Sequence, residues 1–461
     1  MKEHILAAPP APLAAHQLLI LLLQLTLLLL LAFCLGRLAE RLKLAAIVGE
    51  LVAGVIVGPS LLGHLAPGFA NWLLPTRPDQ THLLDAVGML GVLLLVGVTG
   101  THLDTAMLRK RGATALRVSV FGLVIPLALG MLAGAVMPAS LMAGPKDRWV
   151  YASFLGVAMC VSAIPVIAKT LSDLRLLHRD LGQLILAAAT VDDTVGWFLL
   201  SVVAAAATVG VHTHVWLSVV NLVGFVVLAA VVGRPLVRRI GRLTARDREP
   251  GSTIATVVVL VLLGAAATHA LGMEPIFGAF VAGILISASG AVDQVKLAPL
   301  RTVVLSVLAP IFMATAGLRM DLTALRRPTV AIAAAVILAI AVLGKFAGAY
   351  LGARLSRLGR WEAMALGAGM NARGVVEVVV AMTGLRLGVL NTATYTVIVL
   401  VAIVTSVMAP PLLRVAMRRI AENEREKARG AAHDKWAGVA DDDVGHEATP
   451  AGAGRHARIH L

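Results

Sequence analysis

Charge is scarce in this chain. Only 14% of its 461 residues are Asp, Glu, Lys or Arg, while 58% are hydrophobic, and the mean hydropathy is +0.87. Soluble globular domains carry about a quarter charged residues, so that class is excluded. Cysteine is nearly absent. Cys34 and Cys160 both fall inside apolar runs, which excludes a disulfide framework. No HExxH or similar metal-ligand cluster, no serine-nucleophile motif and no strand-linked GxGxxG occurs. These absences argue against an enzyme, a resident cofactor and a bound dinucleotide. A cleavable signal peptide is not expected either. The first apolar run is too long for an h-region, and Cys34-Leu-Gly-Arg leads into the next one.

What is present is apolar sequence in span-length blocks. About 20 apolar residues cross a ~30 Å hydrocarbon core as a helix. By that rule the chain divides into about thirteen candidates: 12–36, 44–62, 84–103, 113–137, 149–171, 182–209, 215–233, 252–272, 274–289, 301–318, 328–353, 362–385 and 391–416. The fold class is therefore an all-α polytopic membrane protein. Residues 1–416 form the membrane domain, and 417–461 are too poor in apolar residues to fold alone, so a short disordered cytoplasmic tail is expected.

The formal charge of +14 could suggest nucleic acid, but its distribution does not. Nineteen loop Lys and Arg residues lie on one alternate set of loops and eight on the other. That asymmetry puts the N-terminus outside and the C-terminus in the cytoplasm.

Two adjacent carboxylates, Asp192 and Asp193, sit within the sixth candidate span, flanked by LILAAAT and VGWFLLSVVAAAA. An ionisable side chain at bilayer depth costs on the order of 3 kcal/mol or more, so a pair points to function. Few other ionisable groups lie as deep. Lys345 in the eleventh span needs an anionic partner, and Asp192 is the natural one, leaving Asp193 for a transported ion. Arg373 and Glu377 are four apart on one helix face and read as a structural ion pair. Glu50, near a span end, also reads as structural.

An internal repeat connects these features. Residues 49–58 (GELVAGVIVG) resemble 278–287 (GAFVAGILIS), and Gly100, Asp104 and Leu108 recur as Gly317, Asp321 and Leu325 at an offset of 217. Both matches relate a span to the one seven later. Seven is odd, so the halves, about 44–209 and 274–416, are inverted, a plan recurrent in secondary transporters. The fifth and twelfth spans then correspond, and both look interrupted. Ser162-Ala-Ile-Pro165 puts a proline in the first, and Gly367 to Gly374, with Asn371 and Arg373, puts three glycines in the second. Broken helices expose backbone dipoles that can serve ions, and persist only where they line a cavity or are buried in protein.

A carboxylate beside such breaks can hold either a proton or a dehydrated monovalent cation. Competition for one site would couple the two flows without a covalent intermediate.

The stretch from Ser162 to Leu174, Asp192-Asp193 followed by Trp197, Phe277 to Gly283, Gly317 to Asp321, Gly344-Lys345 and Met370 to Gly374 with Glu377 resembles the monovalent cation:proton antiporters. Within them the chain is most similar to the branch of Kef-type transporters and plant cation/proton exchangers, over about residues 17–416. The resemblance implies the sodium/hydrogen exchanger fold, with a dimerisation domain, a mobile core domain carrying two crossed broken helices, and a homodimer in the plasma (inner) membrane. It also implies exchange of Na⁺ or K⁺ for protons. Asp193 matches the ion-binding aspartate, Asp192 the variable position before it, and Lys345 the basic partner. Arg373 and Glu377 match the charged pair on the second broken helix. Two departures stand out. Asp192 occupies a position often Asn or Gln in this branch, which leaves the charge moved per cycle open, and only 41 residues follow Ile420, where Kef-type proteins carry a nucleotide-binding domain. A passive cation channel and a proton-coupled exporter of an organic ion are the competing classes.

Overall fold

The computed structural model describes residues 14–74, 78–101, 105–144, 147–209, 215–244 and 249–429. Among them the chain is helical, with no strand beyond an isolated bridge between Met142 and Leu390. The first half contains α1 (Ala15–Arg41), α2 (Ala46–Val57), α3 (Pro78–Thr101), α4 (Thr105–Val136), α5 (Arg148–Cys160), α6 (Ile164–Asp173) and α7 (Asp180–Val209). After α8 (Val220–Arg242) come α9 (Pro250–Ala270), α10 (Pro275–Ser289) and α11 (Val295–Leu318). The chain ends in α12 (Pro328–Leu355), α13 (Arg360–Met370), α14 (Val375–Arg386) and α15 (Thr392–Met417).

Local chemistry sets many of these boundaries. Pro250, Pro275 and Pro328 open α9, α10 and α12, where the missing N–H is no loss. Asp147 and Asn391 accept backbone N–H groups at the starts of α5 and α15, satisfying otherwise orphaned donors. Two π turns, Ala229–Gly233 in α8 and Val304–Leu308 in α11, come just before Pro235 and Pro310. The proline ring excludes the normal bond to the preceding turn, which widens.

The span count differs from the sequence expectation. Among the described residues eleven helices are long and apolar enough to cross a membrane, with α5 and α6 forming one of them, or twelve if α13 and α14, bent by 43°, make a single span. The ninth candidate is the difference: α10 has 15 residues, about 22 Å at 1.5 Å per residue, so it falls below that length, yet the turns after α1 and α6 and the end of α15 share one face only if it crosses.

The repeat is visible in the packing. A Cβ on Gly54 of α2 would lie 1.9 Å from the Ala314 carbonyl of α11, and one on Gly317 would lie 2.1 Å from that of Leu51. In the other half, a Cβ on Gly283 of α10 would lie 2.2 Å from the Gly97 carbonyl of α3, and one on Gly100 would lie 2.7 Å from that of Phe280. Gly54 corresponds to Gly283 and Gly317 to Gly100, so one close crossing of small residues is made twice. The same holds one helix away, where Gly49 meets Leu35 of α1 and Gly278 meets Gly264 of α9. Two helix groups result: α1–α3 with α9–α11, and α4–α7 with α12–α15.

The turns separate onto two faces. Those after α1 and α6 and the end of α15 surround one cavity. On the opposite face Asn391 donates to Ser140 O, and Arg386 pairs with Glu274 at 2.8 Å.

Candidate ion-binding site

The site is built where the two interrupted helices meet. The helix of α5 stops at Cys160, Val161 and Ala163 are extended, and α6 starts at Ile164. Pro165 lies in the first turn of α6, where it costs no hydrogen bond. The proline itself is the expected interruption; the structure puts the break at residues 161–163, ahead of Ile164. In the second interruption α13 stops at Met370, and Asn371 to Gly374 lead into α14. A Cβ on Gly374 would lie 2.6 Å from the Val166 side chain, so the absence of a side chain lets α6 approach the second break. Ala163 N–H donates to Ala372 O at 3.3 Å, joining the two directly.

A helix that ends inside a protein leaves its last carbonyls unpaired. Here buried cations serve those of α5. Arg373 donates to Ala158 O at 2.7 Å and to Met159 O, and Lys345 donates to Cys160 O at 2.5 Å. Positive charge at a helix C-terminus also complements its dipole. Arg373 further donates to Ala341 O at 3.1 Å, while Ser406 donates to the Arg373 carbonyl. The Arg373–Glu377 pair is present at 3.3 Å with both side chains fully buried. That arginine therefore ties α5, α12 and α14 together.

Consecutive residues on a helix point about 100° apart, and the two aspartates of α7 meet different surroundings. Asp192 is saturated. Lys345 Nζ and Ser119 Oγ donate to it, and Ser162 Oγ lies 3.0 Å both from its Oδ2 and from Met370 O. Asp193 is as deeply buried, with 1% of its surface exposed. Its carboxylate faces the backbone N–H of Ile164, the first residue of α6, so the positive end of a half-helix points at it. Its Oδ1 has no hydrogen-bond partner among the described residues, and neither do both side-chain polar atoms of Asn371. Glu50 is half-buried on α2, beside Gly36 of α1.

Sequence reasoning therefore identified residues that the fold brings together: Ser162, Asp192, Asp193, Lys345, Asn371, Arg373 and Glu377. It missed Ser119, Ser406, the Ile164 N–H and the α5 carbonyls. Ser119 left one signal, a hydroxyl deep in the apolar fourth span. The backbone groups left none.

A model of the transmembrane sodium/hydrogen exchanger family matches residues 27–419. The chain belongs to this family. As an exchanger-family protein it is 31% identical over 386 residues to the Na(+)/H(+) antiporter NhaS4 of Synechocystis sp., covering 83% of this chain and 93% of that one. It is 29% identical over 375 residues to K(+)/H(+) antiporter 1 of Saccharomyces cerevisiae, covering 79% of this chain and 43% of that one. The chain spans about half the length or less of most of the curated relatives it matches. Its fold is that of the sodium proton antiporter MjNhaP1 from Methanocaldococcus jannaschii, with a TM-score of 0.68 at 15% identity, covering 88% of this chain and all of that one. Exchanger-family members are membrane transporters of monovalent cations and protons.

Proposed function

We propose that this chain is a secondary active antiporter that exchanges a monovalent cation, Na⁺ or K⁺, for protons by alternating access at Asp193. The observation that carries this reading is the division within the acid pair: Asp192 is saturated by Lys345, Ser119 and Ser162, whereas Asp193 keeps a buried oxygen without a partner among the described residues. A buried carboxylate oxygen without a donor is costly. A proton on the carboxyl or a small cation beside it relieves that cost, and one site cannot hold both. Entry of either ion expels the other, which couples the flows.

Alternating access follows from movement of the group that carries Asp193 against α1–α3 and α9–α11. The asymmetry of basic loops supports an external N-terminus and a cytoplasmic C-terminus. Family membership supports a homodimer in the plasma membrane.

The test is exchange by full-length protein in proteoliposomes, read by dye quenching of an imposed pH gradient with Na⁺, K⁺ or Li⁺. Wild-type protein should dissipate the gradient in a cation-dependent way. Asp193→Asn should abolish that response while leaving the protein folded and inserted, and full cation-dependent proton flux in the variant would sink the mechanism. Cation flux uncoupled from protons would point to a channel instead.

A further inference from the structure

On the face where the turns after α1 and α6 meet the end of α15, a cavity of about 730 Å³ is lined by Lys43, Lys169, Arg175, Arg179, Arg414 and Arg418. Its two acids, Glu40 and Asp173, are both held by Lys169, at 3.3 and 3.1 Å. Arg179 is also engaged, 3.4 Å from Glu426 and donating to the Ile420 and Ala421 carbonyls. Lys43, Arg175, Arg414 and Arg418 remain, and among the described residues no carboxylate lies within 4.0 Å of any of them.

Two ordinary explanations fall short. Cations do complement helix C-termini, and α1, α6 and α15 end here, but each end carries only about −0.5 of a charge. Together they offset fewer than two of the four cations. A general excess of basic residues on one face would scatter them over separate loop tips. Here three segments remote in sequence converge on one cavity, and Lys43 and Arg175 hold left-handed backbone, with φ of 61° and 52°. Glycine is the usual residue in that conformation after a helix, and a larger side chain strains it.

We propose that this cavity binds a phosphate-bearing anion, the chemistry shared by an anionic phospholipid headgroup and a soluble phosphate ester. Guanidinium forks match phosphate oxygens in pairs. The cavity is too roomy for a bare anion and falls in the range of small-molecule sites, about 300–1,000 Å³. Its lining also includes Leu44, Leu174, Leu176, Pro410 and Met417, so it can cover the apolar part of such a ligand. An occupant would neutralise four mutually repelling cations and tie the α1–α2 turn to α6 and α15.

The experiment uses the full-length chain and reads binding without transport, so its failure and the failure of the exchange reading are distinguishable. In one arm, protein from vesicles of equal phosphatidylglycerol and phosphatidylcholine is extracted, and retained lipid is measured by native mass spectrometry. In the other, sodium pyrophosphate is titrated against protein in phosphatidylcholine alone, with the thermal midpoint as readout. Selective retention of phosphatidylglycerol identifies a headgroup; a saturable rise with pyrophosphate identifies a soluble ester. In either case R175Q/R414Q/R418Q should weaken binding by at least about tenfold, since three charge-assisted contacts are lost. Lys43→Gln, a single surface change, should weaken it in the same direction if the triple variant folds poorly. No selective retention together with no pyrophosphate response overturns the proposal, as does unchanged binding in the variants.

Discussion

Lys345 donates at once to Asp192 Oδ2 and to the Cys160 carbonyl, so one ammonium neutralises a carboxylate of α7 and closes the end of α5. Both members of the Lys345–Asp192 pair are fully buried. Removing one partner of such a pair strands the other, at a cost of about 3–5 kcal/mol, whereas replacing both by groups of similar volume is often neutral. Lys345→Ala should therefore lower the denaturation midpoint sharply in detergent, and Lys345→Met with Asp192→Leu should recover most of the loss. A single variant as stable as wild type would contradict the structural role of the pair.

Ser119 tests how far Asp192 depends on its hydroxyl donors. Hydrogen bonds to charged groups contribute about 1.5–3 kcal/mol each. Ser119→Ala should lose about that much stability yet keep cation-dependent exchange, because Asp193 and its Ile164 contact are untouched. Complete loss of exchange in a well-folded Ser119→Ala protein would place the serine in the transport step itself.

The duplicated glycine crossing predicts matched defects. A Cβ at Gly283 or Gly54 would meet backbone oxygen at 2.2 or 1.9 Å, so Ala at either position must push two helices apart, at about 1–3 kcal/mol or more. Gly224→Ala is the control, with nothing within 4 Å of its added Cβ. Thermal midpoints in detergent should fall for the first two and hold for the third.

The segment at 421–429 should come loose in acid. Glu426 accepts from Asn423 N–H at 2.9 Å and Asp180 N–H at 2.7 Å, and pairs with Arg179 at 3.4 Å. Burial raises its carboxyl, but these donors and the guanidinium outweigh it and hold the group below its usual range. A depressed carboxyl stabilises docking above the ordinary value of about 4.3 and loses that contribution as pH falls through the lower folded value. The protection of 421–429 against hydrogen exchange, relative to the intrinsic rate at each pH, should therefore fall below about pH 4, and Glu426→Gln should be weakly protected at all pH values. Protection that does not change with pH in wild type would refute this.

Much of the site was legible because a membrane chain hides so little charge. Asp192, Asp193, Lys345, Arg373 and Glu377 stand out against apolar spans, and an isolated buried ion requires a partner. The glycine motifs were legible for a related reason, since helices crossing within van der Waals contact tolerate only the smallest residues. Pro165 misled by position, because proline is as welcome in a helix's first turn as it is disruptive further in. The tenth helix is apolar throughout but only 15 residues long, so its composition marks it as a span where its length alone does not. Residues 421–429 read as tail because polar sequence lacks apolar area of its own. They are ordered by contacts with His178, Arg179 and Asp180.

The sequence by itself determined the helical membrane class, the inverted halves, the family resemblance and the small set of buried charges, because span length, small-residue packing and the cost of charge in lipid all leave marks on residue identity. From the sequence Lys345 is expected to take Asp192, but only the tertiary structure decided the remaining donors, which saturate Asp192 and leave Asp193 Oδ1 without a partner among the described residues. That outcome depends on a hydroxyl from α4, an ammonium from α12 and the backbone N–H of Ile164 meeting two adjacent side chains. Such a meeting is set by backbone geometry, which residue identity does not encode locally.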